Sequence, residues 1–336
     1  MAHRNYFEIE ADSYFELGVR RGELFADFLH ECLEEQKAGP DWKADLQRAK
    51  AYLGVATATF PHLIDELKGQ AKGAGASFDD LWLLCVEDEL EESAVEKCTT
   101  IVTNGGSLIA HNEDWDKEAE SGICVLRKTV GDLSIFELSY LSGLGGNSIS
   151  INSHGFVHAI NSLTHTDRQM GMPKNLVARW LSETCSPARD LQALTKLRRA
   201  SGYHHCLLGL DGKLWSMECS AKQQVLTRPA LPFVHTNHFL THLSSLQAEY
   251  GICGTGPRYR CASANVRASM SVEEVKRLSS DTSAGKSNSL LTDRTIARMI
   301  LDLPSMTAHV WLRREAAAGW VSYPLGLASA AVSCPG

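Results

Sequence analysis

No stretch of this 336-residue chain stays apolar for the roughly 18 residues that a bilayer-spanning helix requires, so no membrane partner is expected. Basic residues are distributed along the chain instead of run together, and the net charge is −7, which argues against a nucleic-acid footprint. Low-complexity tracts and internal repeats are missing too. The start, Met1 to Glu8, is acidic by position 8 and lacks the apolar core of a secretory signal, so a cytoplasmic location is expected. Ten cysteines are scattered without a Cys-X-X-Cys pair, and in a reducing compartment such residues are expected as buried thiols and not disulfides.

Several chemical motifs are also incomplete. Gly143-Leu-Gly-Gly146 lacks the Gly-Lys-Ser/Thr ending of a phosphate loop, and no Gly-X-Ser-X-Gly elbow of a serine hydrolase occurs. His235, His238, His242 and the His204-His205 pair have no cysteine or carboxylate pair at ligand spacing, so no metal is expected. The acidic run Glu87 to Glu92 reads as a solvated face.

What is present falls into two halves of different character. Apolar spacing around Phe15, Leu17, Leu24, Phe25, Phe28 and Leu29 predicts a helix over 13–37, and helical patterns continue through 42–74 and after Asp79-Asp80, so the first 97 residues read as mostly helical. From 98 the chain alternates short strands at 98–103, 107–112, 123–129, 133–140, 147–152 and 156–161, divided by Gly, Asn and Asp turns. Helices are predicted from about Lys174 to Thr184 and from about Ala188 to Ala200, then strands at 204–210, 214–219 and 223–227. Helices near 271–279 and 291–300 precede final strands near 307–313 and 320–323, and the polar run 279–289 reads as a surface loop. Strands and helices in separate blocks predict antiparallel sheet packed with helices in a single α+β domain.

Within this pattern, Cys98-Thr-Thr-Ile-Val-Thr, the Gly105-Gly106 turn and Ser-Leu-Ile-Ala-His form a β-hairpin signature with Cys98 at its head. A thiolate attacks carbonyl carbon well, but a thiol with a usual pKa of about 8.5 needs a base at neutral pH. If the Lys97–Cys98 bond is cut, the freed α-amine, with a usual pKa of about 7.7–8.0, sits on the same residue as the sulfur and can take its proton. The bland alternative is a buried core cysteine. Thr100 shares the strand face of Cys98 and could orient the thiol or the amine, or be an ordinary strand residue. Asp114 falls on the returning strand, where Glu113 and Asp116 are alternatives for the same carboxylate role.

In their order along the chain, Cys98-Thr-Thr100, Asn112-Glu-Asp-Trp115, Asn152-Ser-His-Gly155, the Gly171-Met-Pro173 to Arg179 helix start and His235-Thr-Asn-His-Phe239 resemble the cysteine-type N-terminal-nucleophile hydrolases. The resemblance is to the isopenicillin N acyltransferase-like (acyl-coenzyme A:6-aminopenicillanic acid acyltransferase) family, and it extends from the Gly18–Gly22 helix to Tyr323-Pro-Leu325. It implies a four-layer αββα sandwich with two antiparallel sheets, self-cleaved between Lys97 and Cys98 into an α chain (1–97) and a β chain (98–336) that stay together as a heterodimer within one domain. The family commonly carries glycine before the cysteine, and Lys97 departs from that pattern. By the same resemblance Cys98 is the nucleophile, Asp114 holds the α-amine and Asn237 donates to the oxyanion. Arg179 and Arg258 are candidates to pair a substrate carboxylate. The implied activity is hydrolysis of a small-molecule, non-peptide or modified amide through a thioester, without a cofactor. Acyl transfer to an amine is the neighbouring alternative, and an unprocessed binding protein the second; homo-oligomerisation is left open.

Overall fold

The computed structural model describes residues 3–90, 97–249, 254–285 and 287–326. The helical first third is built as expected, with two breaks supplied by aromatic residues and proline. Helices α1 (Tyr14–Leu24) and α2 (Ala26–Ala38) meet at Phe25, and Pro61 at the first turn of α4 (Pro61–Ala74) divides it from α3 (Trp42–Thr59); α5 (Phe78–Leu90) follows. Helices α1 and α4 approach so closely that only glycine fits: a Cβ on Gly18 would lie 1.9 Å from the Glu66 carbonyl oxygen, and one on Gly69 would lie 2.0 Å from that of Phe15.

Strands follow in order: β1 (Tyr6–Ala11), β2 (Lys97–Thr103), β3 (Leu108–Asp114), β4 (Ile123–Val130), β5 (Leu133–Tyr140), β6 (Ile149–Asn152) and β7 (Phe156–Ser162). After α6 (Lys174–Leu181) and α7 (Pro187–Leu194) come β8 (Tyr203–Gly209), β9 (Leu214–Cys219), β10 (Gln224–Thr227) and β11 (Phe233–His235). Helices α8 (Thr255–Asn265) and α9 (Val272–Ser279) then lead to β12 (Thr295–Asp302), β13 (Thr307–Leu312) and β14 (Val321–Pro324). One sheet has the order β1-β4-β5-β6-β7-β8-β9-β10 and the other β11-β2-β3-β12-β13-β14.

Period-two alternation along each strand sorts side chains into three apolar layers. On β4, Cys124 and Leu126 join the layer under α1–α7, while Ile123 and Val125 join the layer between the sheets. On β2, Val102 faces the inter-sheet layer and Ile101 faces α8 and α9. The result is the helix–sheet–sheet–helix sandwich that the motifs implied.

Four local expectations are corrected. The segment 291–300 holds strand β12 instead of a helix; it is buried between β3 and β13, where sheet pairing overrides the helix-forming run Ala-Arg-Met-Ile-Leu. Residues 6–11 form a strand, which joins the sheet edge parallel to β4 while the other named ladders run antiparallel. The acidic run is not a solvated face in its described part: Asp88 and Glu89 are buried, and Glu89 accepts bonds from the Lys174 N–H (2.8 Å) and the Ser201 hydroxyl (2.8 Å). Cys185 is disulfide-bonded, against the expectation of thiols throughout.

Gly69→Ala should lower stability by about 1–3 kcal/mol in denaturant titration despite alanine's higher helix propensity, because the new methyl group overpacks α1. A second expectation concerns acid. Burial lowers the pKa of His158 from 6.5 to about 3 and takes His204 and His205 well below 6.5, so these rings stay neutral in the fold. The unfolded chain therefore binds more protons below 6.5, and stability should fall as the pH drops from 6.5 towards about 3. A urea midpoint that decreases through this window, with a flatter slope in a His158→Gln, His205→Gln variant, would be the outcome.

Candidate active site

The register of the first hairpin determines what surrounds the sulfur. Strands β2 and β3 pair Cys98 with Glu113, Thr100 with His111 and Lys97 with Asp114, around a turn in which Asn104, Gly105 and Gly106 all adopt positive φ. Since Val102 and Ile109 point between the sheets, Cys98, Thr100, His111 and Glu113 share that inner face. All four are at most 1% exposed.

On this face the side chains form one hydrogen-bonded chain. The Thr100 hydroxyl meets His111 Nδ1 at 3.0 Å, His111 Nε2 meets Glu113 Oε2 at 3.1 Å, and the Cys98 thiol donates to Glu113 Oε1 at 3.5 Å. The opposite sheet contributes two further donors to the same carboxylate: Tyr140 OH to Oε1 at 3.0 Å, and the Ser148 hydroxyl to Oε2. Thr100 therefore acts through His111, and Glu113 is the carboxylate at the thiol.

The outer face carries a second set. Arg258 donates through Nη1 to the Cys98 carbonyl (2.7 Å) and to Thr99 Oγ1 (2.9 Å), and through Nη2 to Asn237 Oδ1 (2.7 Å); Nη1 also lies 3.5 Å from Asp114 Oδ2. The backbone N–H of Cys98 donates to Asn237 Oδ1 at 2.8 Å. Asp114 Oδ1 accepts from the Thr295 hydroxyl at 2.5 Å. Burial raises the Asp114 pKa above the usual carboxylate range, with Arg258 opposing it.

These contacts revise the expected roles. Asp114, expected to hold the α-amine, turns its oxygens to Thr295 and Arg258 in the uncut chain. The Asn237 side chain meets the Cys98 backbone. Its two donor neighbours, Cys98 N–H and Arg258, hold the amide oxygen inward, which turns Nδ2 to the Ser162 carbonyl at 3.1 Å. Arg258 lies on helix α8, not in a loop, and its buried head is engaged with the protein's own groups instead of being presented to a substrate carboxylate. Arg179 is remote from that role as well: it is buried and paired with Glu66 (2.8 Å) and Glu183 (2.6 Å). Lys97 enters β2 at its backbone, while its side chain lies outside the described residues.

Glu113 and His111 were legible in the sequence from the turn alone. A two-residue turn at Gly105-Gly106 pairs 104 with 107, and counting outward pairs 100 with 111 and 98 with 113. Among the other free cysteines of the described residues, burial pushes Cys85, Cys124 and Cys206 up to about 12, and Cys32, Cys219 and Cys261 up to about 11. Such thiols are poor nucleophiles at neutral pH.

The pattern described as "Acyl-coenzyme A:6-aminopenicillanic acid acyl-transferase" matches residues 102–316, well over half of the chain. The chain belongs to this acyl-transferase family. Over 155 residues it is 28% identical to the β-alanyl-dopamine/carcinine hydrolase of Drosophila melanogaster, a match covering 39% of this chain and 40% of that protein. Among solved structures it is similar to a C2A mutant of the conjugated bile acid hydrolase from Clostridium perfringens (10% identity, TM-score 0.45, 69% of this chain and 92% of that one). It is also similar to penicillin V acylase from Agrobacterium tumefaciens (12% identity, TM-score 0.40, 64% and 83%).

The buried Asp114–Arg258 pair yields a stability test. Asp114→Ala strands a buried guanidinium and should cost about 3–5 kcal/mol, whereas Asp114→Asn retains an acceptor for Thr295 and Arg258 and should cost less. Urea denaturation of the two acyl-transferase-family variants would separate these values.

Proposed function

We propose that this acyl-transferase-family chain is a self-processing cysteine amidohydrolase that uses Cys98 as its nucleophile. The observation that carries the reading is that all three polar atoms of Cys98 are held: its N–H by Asn237, its carbonyl by Arg258 and its sulfur by Glu113. Fixing these atoms removes the rotational freedom that a thiol attack would otherwise lose in reaching its transition state. Cleavage before Cys98 would turn the amide nitrogen now bound to Asn237 into an amine, adjacent to the sulfur and able to take its proton. The thiolate then attacks the substrate carbonyl carbon, the amine leaves with a proton, and water opens the thioester. An amine in place of water gives acyl transfer by the same steps. The apolar layer shared by residues 9–90 and 124–219 would hold the two cleavage products together.

The substrate is proposed to be a small amide carrying a cationic amino group. A cavity of about 310 Å³ has Tyr140, the donor to Glu113, in its wall. Glu31, Glu35, Glu87, Asp88 and Glu118 line it, with no lysine or arginine among its described lining residues. That charge favours an ammonium group and disfavours a carboxylate. A β-alanyl amide, the kind of compound in the name of the fly relative, meets this requirement. No helix among the described residues is long and apolar enough to cross a membrane, and a cytoplasmic site of action is part of the proposal.

Intact-mass spectrometry of purified wild type should give fragments 1–97 and 98–336, and Cys98→Ala should give one chain. Rapid acid quench with β-alanyl amides should add one β-alanyl mass to the 98–336 fragment, while N-acetylation of the substrate amine should slow that acylation at least about tenfold. Full-length wild type with full amidase activity would eliminate the free-amine mechanism. Equal acylation by neutral and cationic amides would eliminate the charge preference.

A further inference from the structure

In the uncut chain the nitrogen of Cys98 is an amide. It donates its hydrogen to Asn237 and has no basic lone pair, so the α-amine cannot be the base for the first cleavage, before it has been released. Some other group must take the thiol proton at that step. We propose that Glu113 is this base, with His111 and Thr100 as positioning residues that hold its carboxylate aimed at the sulfur.

The contacts fit one donor pattern. For Glu113 to act as a base it must be an acceptor, so His111 Nε2 donates to Oε2 and Nδ1 accepts from the Thr100 hydroxyl. Ser148 donates to the same oxygen, and Tyr140 and the Cys98 thiol donate to Oε1. Four side chains, Cys98, Tyr140, Ser148 and His111, thus direct donors at the Glu113 carboxylate. The Cys98 sulfur lies 3.5 Å from Oε1.

Cysteine, histidine and glutamate atoms within 4.8 Å of one another could equally be read as a metal site, with three protein ligands and an open position. The occupancy of Glu113 favours the proton over the ion. Its two oxygens already accept from four donors, the normal acceptor capacity of a carboxylate, and Thr100 fixes the second nitrogen of His111.

The step balances as follows. The S–H proton passes to Glu113 Oε1, and the sulfur bonds to the carbonyl carbon of Lys97 through a five-membered ring containing Cβ, Cα and N of Cys98. As the C–N bond breaks, Glu113 returns the proton to the departing Cys98 nitrogen. Water then hydrolyses the thioester, leaving a carboxylate on Lys97 and a free thiol and amine on Cys98. Glu113 is again a carboxylate.

The inference rests on Cys98 as the proposed nucleophile, and two readouts keep the two ideas apart. The first is the rate at which full-length chain splits into 1–97 and 98–336, followed by intact mass across acid to alkaline pH. Glu113→Gln should slow splitting by on the order of 10²- to 10⁴-fold, the usual effect of a general base. His111→Gln removes the ring that holds Oε2 in place, so splitting should slow by a smaller factor than in Glu113→Gln. Asp116→Asn, an exposed neighbour paired with Arg294, should match wild type. Splitting of Glu113→Gln at the wild-type rate would overturn the proposal.

The second readout needs no cleavage. The infrared S–H stretching band of Cys98, isolated as the difference from Cys98→Ser, should be shifted by its bond to the carboxylate and revert in Glu113→Gln. If wild type never splits, the self-processing reading fails, yet this band still tests Glu113: identical bands in both proteins would refute it. One equivalent of zinc retained by purified wild type and lost in His111→Gln would also refute it, since the sulfur would then be a metal ligand. Unchanged near-ultraviolet circular dichroism establishes that each variant is folded, and Tyr140→Phe offers a milder perturbation of the same oxygen.

Discussion

The antiparallel register of β2 on β3 is the constraint on which the candidate site depends. Side chains on paired strands meet across the ladder, so a shift of one residue would exchange Glu113 for Asn112 or Asp114 opposite Cys98 and would reverse the faces. Two features pin it. The turn at Asn104 to Gly106 requires positive φ at three successive positions, which glycine supplies at two of them. Each face of the strands is also buried in a different apolar layer, so slipping by one residue would send Val102 and Ile109 towards the helices and Cys98 with them.

Burying so many polar groups around one cysteine is tolerable only because they satisfy one another. Glu113 would be costly between two sheets without partners; Tyr140 and Ser148, reaching across from the larger sheet, supply the bonds that β2 and β3 alone do not. The outer face solves the same problem with charge. Arg258 links Asp114, Asn237 and the Cys98 carbonyl in one buried cluster, so removing a member costs the others a partner that water does not replace. The two clusters are separated by the backbone of β2 and meet at Cys98, whose sulfur belongs to one and whose N–H and carbonyl belong to the other.

This geometry also clarifies the place of Lys97. A lysine where the family commonly has glycine does not disturb the pairing, because the backbone of Lys97 takes its position opposite Asp114 in the ladder. The surroundings of Cys98 come from positions 98 onward and from distant segments. The acid-lined cavity is built by a different set of residues, on α2, α5 and the loops after β3 and β5, and its wall residue Tyr140 also bonds Glu113.

The sequence by itself determined the features that depend on local chemistry. A run of β-branched residues, two turn glycines and a returning strand set Cys98 at the head of a hairpin, and the same spacing already paired it with Glu113. Strand β12 and helix α8 were not legible, because Ala-Arg-Met-Ile-Leu favours helix locally and Thr255–Asn265 shows little apolar periodicity. Only the tertiary structure decided the partners of the site. Asn237, Arg258, Tyr140 and Ser148 arrive from segments far apart in the chain, and their positions follow from how two sheets stack and where a helix crosses them. Those are long-range packing outcomes, and no periodicity within a single segment encodes them.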